Sequence, residues 1–190
     1  IYMFTKELAL KIHKANVDKG FYENPQSSEM RVLLIKSEAF EAFEAQRKNK
    51  YVKEWEGIGN MIKPLQERQN HAIQFFIDHI KDTFEDEIAD VAIRTLDSLG
   101  YEFSTKNPAF DINECFYYKL RPSEVLRKDN AITILDSNIS AINGFSADAC
   151  DYLLSWCEAV ASMYNFDLMM HVELKLAYNA TRAHKHGKVF

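Results

Sequence analysis

Apolar residues recur every three or four positions along most of this chain, the spacing of an amphipathic helix rather than a strand. Leu8, Ile12 and Ala15 keep that spacing and predict a first helix over 5–17. A loop follows through Gly20, Phe21, Tyr22 and Pro25, and Ser27 or Ser28 then supplies the N-cap of a second helix that runs to residue 48. Pro64 suits the first turn of a third helical stretch reaching 99. That stretch breaks near Asp82 and Thr83, where Thr83 and Asp86 have the spacing of a capping box. Over 101–145 the periodicity weakens, and 113–120 and 131–141 read as short helices within an insertion of polar loops. From Ser146, a good N-cap, the pattern resumes and predicts one long helix to residue 184.

Composition sharpens this picture. The 190 residues include only 6 Gly and 4 Pro, less than half of the usual combined share of about 12%. So few turn-formers argue against a sandwich or barrel of short strands. The expected fold is all-α: a bundle of four to five main helices in a single domain over 1–190, with the insertion at 101–145. A hydrophobic share of 47% excludes a disordered chain.

The net charge of -5 argues against a general nucleic-acid binder, which needs a basic face for phosphates. It leaves room for a small phosphorylated ligand held by a few local cations. Cys115, Cys150 and Cys157 are odd in number and lack CxxC spacing, so neither a disulfide framework nor a zinc cage is expected. No apolar run approaches the length of a membrane span, and the first residues lack the basic region of a signal peptide. The expectation is a reduced, cytoplasmic protein with no membrane partner.

Two acidic pairs carry the candidate chemistry. Glu38 and Glu41 lie three apart on the second helix, and Glu87 and Asp90 repeat the spacing before an apolar run. Residues three apart share a helix face, where like charges repel. Each pair sits in or beside apolar sequence, and burying carboxylates is costly without a compensating cation. Two antiparallel helices could aim all four into one site. Oxygen donors without His or thiolate suit Mg²⁺, or Mn²⁺, rather than zinc or copper. Near the end of the chain, Lys175, Asn179 and Arg182 follow i, i+4, i+7 spacing and form one polar stripe, with Lys188 beyond it. Such a stripe can hold a polyphosphate, although basic residues near a helix C-terminus also complement its dipole.

In this order the blocks resemble the MazG-like all-α nucleoside triphosphate pyrophosphohydrolases. The resemblance lies in Glu38-Ala39-Phe40-Glu41 with Glu44 and Arg47, then Glu87-Ile88-Ala89-Asp90, then Lys175 to Arg182 with His186-Gly187-Lys188. Ile12-His13 and Lys19-Gly20-Phe21-Tyr22 are similar to the loop before the first acidic block in one branch of that family. The resemblance implies cleavage of a (d)NTP between the α and β phosphates to a monophosphate and pyrophosphate. It implies Mg²⁺ on Glu38, Glu41, Glu87 and Asp90, and a proton acceptor such as Glu44. Phosphates would fall to Lys175, Asn179, Arg182 and Lys188, and the base to Phe21, Tyr22 or Trp55. It also implies a homo-oligomer, dimer or tetramer. The segment 55–82 and the region 101–146 exceed what a minimal member needs, and either could alter assembly or cap the site.

Two other classes compete. A ferritin-like di-iron bundle needs ExxH pairs, and the chain has none. A non-catalytic helical interaction or nucleotide-binding module, its acidic pairs merely at the surface, predicts no metal-dependent gain in stability.

Overall fold

A computed structural model describes residues 4–24, 26–53, 56–107, 110 and 146–184. Among these residues there is no strand. The helices are α1 (Lys6–Asp18), α2 (Ser28–Arg47), α3 (Ile62–Gln66), α4 (Asn70–His79), α5 (Phe84–Ser104), α6 (Ala147–Tyr164) and α7 (Leu168–Thr181). A 3-10 turn at Ile58–Met61 precedes α3. Five of the helices have 13 residues or more, so the all-α bundle expected from the periodicity is what forms. No described helix is long and apolar enough to cross a membrane.

Local chemistry sets the starts. Thr5, Ser27, Thr83, Ser146 and Asp167 each accept a hydrogen bond from a first-turn N–H, leaving one fewer unsatisfied donor per helix. At α5 the predicted capping box is altered. Asp86 Oδ2 accepts from the Asp82 N–H at 3.0 Å, one residue further back than the Thr83 N–H that the motif calls for.

α5 is the central element and packs against α1, α2, α6 and α7. Most of its residues are buried, including acidic ones. Small side chains allow close approach: Ala39, Ala42 and Ala45 on α2 and Ala89 and Ala92 on α5 belong to one apolar core with Ile88, Leu96 and Trp156. A second apolar cluster joins Ile58, Leu65, Phe76 and Ile80 to Leu174 and Tyr178 of α7. Because Leu168 and Val172 lie in the first core, α7 ties the two clusters together.

Three boundaries differ from the sequence expectation. The single helix over 146–184 is two helices: Asn165 takes a left-handed conformation (φ 58°) and closes α6, and Asp167 caps α7 two residues later. The stretch from Pro64 to 99 is three helices, with Arg68 and Asp82 at positive φ in the breaks. Gly100 does not end a helix but lies inside α5, where a Cβ would come within 2.3 Å of the Ala9 carbonyl oxygen and 2.5 Å of His13 Cβ. Its missing side chain is what lets α1 and α5 touch. The predicted short helices at 113–120 and 131–141 lie outside the described residues, as do Trp55, Cys115 and Lys188.

Candidate functional site

The antiparallel arrangement of the acidic pairs is realised by α2 and α5. Glu38 and Glu41 on α2 and Glu87 and Asp90 on α5 line one cavity of about 360 Å³. Its wall continues with Lys175 and Asn179 on α7, with Arg182 at the extended C-cap that ends the predicted helical stripe, with Phe21 from the loop after α1, and with Lys81 and Asp82 from the turn before α5. Seven of the residues singled out in the sequence are therefore brought together with Phe21 in one place.

Within it, carboxylate oxygens of Glu38, Glu41 and Glu87 all lie within 4.8 Å of one another. Glu38 and Glu87 are buried, whereas Glu41 is exposed. Arg94, which also lines the cavity, donates from Nε to Glu38 Oε1 at 3.0 Å and so orients that carboxylate. Burial raises the Glu38 pKa, as does the charge of Asp90, and Arg94 opposes the rise. Glu87 is pushed up to about 9 by burial and then by Asp90, with Lys175 acting against both. Its Oε2 is buried without a hydrogen-bond partner among the described residues.

Lys175 is not an open phosphate ligand. Its Nζ lies 2.7 Å from Asp86 Oδ2 and 2.7 Å from Asp90 Oδ2, and its side chain is almost wholly buried. Burial alone would lower its pKa, but Asp90, Asp86 and Glu87 together hold it well above the ordinary lysine value. Asp86, completely buried, is raised to about 6 chiefly by burial, with Lys175 pulling it down. So Lys175 is an internal counter-ion of the carboxylate layer. Asn179, in the last turn of α7, and Arg182, at its C-cap, are both half-buried, and Arg182 Nη1 donates to Asn179 Oδ1 at 3.4 Å.

Two predicted site residues fall elsewhere. Glu44 is bidentate with Arg47 (2.9 and 2.8 Å) and is not part of the cavity wall. Tyr22 stacks on Tyr101 and meets His13 edge-on at 4.5 Å, in a buried polar group that includes the His13–Asp97 pair at 3.0 Å. Burial and the adjacent Asp97 push its hydroxyl pKa far up, and it is not part of the cavity wall.

Other residues with weaker sequence signals also belong to the site or its support. Arg94 follows Asp90 by four and Glu87 by seven, so its place on the acidic face of α5 was visible in the spacing. Asp86 looked like a capping residue only. Asn16, whose amide offers both a donor and an acceptor to the cavity, carries no local signal.

The donor set fits a hard divalent ion. Three oxygens converge, one carboxylate has a buried atom without a partner, and no sulfur or imidazole ligand lies among them. Compared with family models, with curated proteins and with solved structures, the chain matches none of them.

Proposed function

We propose that this protein is a Mg²⁺-dependent nucleoside triphosphate pyrophosphohydrolase, MazG-like in character. It would cleave a (d)NTP between the α and β phosphates to give the monophosphate and pyrophosphate. One observation carries the reading: a single cavity joins the carboxylates of α2 and α5 to Asn179 of α7 and Arg182 at its C-cap. A triphosphate bound through a divalent ion needs both kinds of group.

Glu38, Glu41 and Glu87 would hold the ion, with Asp90 beside them and committed to Lys175. A bound Mg²⁺ supplies electrostatic stabilisation of the phosphate and lowers the pKa of an attacking water. The residues of the chain do the rest. Arg94 orients Glu38 through its Nε–H. Arg182 and Asn179 donate to phosphate oxygens and offset charge that develops on the departing pyrophosphate. Glu44 is engaged by Arg47, so Glu41, the exposed member of the cluster, is the carboxylate open to accept a proton from water. Phe21 and the Asn16 amide offer a ring and a hydrogen-bonding edge to the base. Exposed Met30, Leu33, Phe40 and Phe43 on α2 support the expectation of a dimer or tetramer, which light scattering during size-exclusion chromatography tests.

The test is a panel of canonical and modified NTPs with Mg²⁺, with monophosphate and pyrophosphate both quantified. Turnover that Glu38→Gln and Arg182→Ala each reduce is the expected result. No turnover anywhere on the panel, together with unchanged Mg²⁺ affinity in Glu38→Gln, overturns the proposal. One observation favours the non-catalytic module instead: Lys175 and Arg94 already neutralise part of the carboxylate layer. That reading requires Mg²⁺ to leave the melting temperature unchanged.

A further inference from the structure

A second cavity, of about 380 Å³, opens between the segment 50–53 and the C-terminal end of α4. It has the opposite character to the first. Among the described residues, Lys50, Lys53 and Lys81 line it against a single acid, Asp78, and the rings of Tyr51, Phe75 and His79 form part of its wall. We propose that it binds a small phosphorylated ligand bearing a planar ring, of the nucleoside monophosphate class. The inference does not rest on the hydrolase reading, since it uses no carboxylate and no metal.

Size, charge and stiffness each bear on it. The volume falls within the range of about 300–1,000 Å³ typical of small-molecule sites, far more than an isolated phosphate needs. Lys50 and Lys81 also face Asp82, at 3.7 and 2.6 Å, but Asp82 is a wall of the acidic cavity rather than of this one. Lys53 has no ion-pair partner among the described residues, which leaves one uncommitted cation for a phosphate. In the same cavity wall, Phe75 and His79 pack with ring centroids 4.8 Å apart, giving an apolar and aromatic surface for a base. The segment 50–53 is braced rather than loose. The Val52 N–H donates to buried Glu85 Oε2 at 3.0 Å, the Phe84 N–H donates to the Lys50 carbonyl at 2.9 Å, and the Tyr51 ring stacks on Tyr164. A wall set before binding loses little entropy when a ligand arrives.

The experiment is calorimetric titration of the full chain in EDTA with AMP, GMP, CMP and UMP, alongside the four nucleosides and inorganic phosphate. At least one monophosphate is expected to bind about tenfold more tightly than its nucleoside and than phosphate. Lys53→Glu should weaken that binding by about tenfold, and Phe75→Leu by a similar factor through lost stacking. Arg182→Ala, in the other cavity, should leave it unchanged. The histidine ring signals of His79 should shift on binding. Failure of all four monophosphates to bind at millimolar concentration overturns the proposal. So does binding that survives Lys53→Glu, or binding that Arg182→Ala removes, which would place the ligand among the carboxylates instead.

Discussion

The two cavities are nearly equal in size, 360 and 380 Å³, and share Lys81, yet they are built on opposite terms. In the acidic one Glu38, Glu87 and Lys175 are each at most 5% exposed, with Glu41 and Asp82 open to solvent beside them. In the cationic one they stand at the rim, with the Lys50 and Lys81 side chains 47% and 36% exposed. Water screens the second set at little cost, whereas the first must be compensated inside the protein or by something that enters. Burial of neighbouring carboxylates is therefore what sets the acidic cavity apart, more than the presence of acids.

The largest expected effect tests that internal compensation. Lys175→Met removes the counter-ion of Asp86 and Asp90 and should destabilise the protein by about 3–5 kcal/mol, the usual result of breaking one side of a buried pair. Denaturant unfolding at neutral pH measures it. A loss below about 1 kcal/mol would mean that water already reaches these carboxylates, and the contrast between the cavities would collapse.

Next comes a base buried on the same helix under different conditions. His171 is four residues before Lys175 and also buried, but burial lowers its pKa to about 4, with Asp167 opposing weakly. Below the unfolded value of about 6.5 the unfolded chain takes up a proton that the folded chain refuses, so this contribution to stability is lost as pH falls from 6.5 through 4. The loss should approach about 3 kcal/mol. It is read as the difference between wild type and His171→Leu, which cancels the carboxylates common to both. A difference that stays constant over this window would show that His171 is not held neutral.

Glu87→Gln separates metal from packing. With its pKa near 9, Glu87 is mostly protonated at neutral pH when no metal is bound, and an amide imitates that state. The metal-free variant should match wild type in stability to about 0.5 kcal/mol. At a Mg²⁺ concentration 100 times its Kd, wild type should gain about 2.7 kcal/mol and the variant almost nothing. Turnover should fall by about 10²-fold or more if the proposed hydrolysis is correct. A variant that still gains the full Mg²⁺ stabilisation would remove Glu87 from the ion's ligands.

What the sequence made legible follows the range of the interactions involved. Helix starts are local, and Ser27, Thr83 and Ser146 announce them. The acidic pairs were visible because three-residue spacing dictates a shared face. Their convergence was less so, since it depends on the small contacts of Ala39 and Ala42 against α5. Depth was not legible at all. Lys175 and Arg182 look alike on one stripe, yet the first is buried among carboxylates and the second is half-buried at the C-cap, where the helix has ended. Tyr22 likewise seemed a free aromatic in a loop, because its partners His13 and Tyr101 come from helices on either side of it in sequence. The Asn165–Asp167 break was present as a left-handed cap followed by an N-cap, hidden within strong apolar periodicity on both sides.

The smallest expected effect falls on the cationic cavity. Lys53→Glu reverses a charge at an exposed position with no ion pair among the described residues, so no buried partner is stranded by the change. Such substitutions usually alter stability by no more than about 0.5 kcal/mol. The same reversal places an anion where the proposed phosphate would sit, so binding should suffer while folding does not. Raising the salt concentration should weaken monophosphate binding to wild type and leave the stability difference between the two proteins nearly unchanged, since the site's cations are open to screening. A stability loss well beyond 0.5 kcal/mol would show that Lys53 is held in a structural network. The cationic cavity would then be, like the acidic one, a region whose charges the fold itself requires.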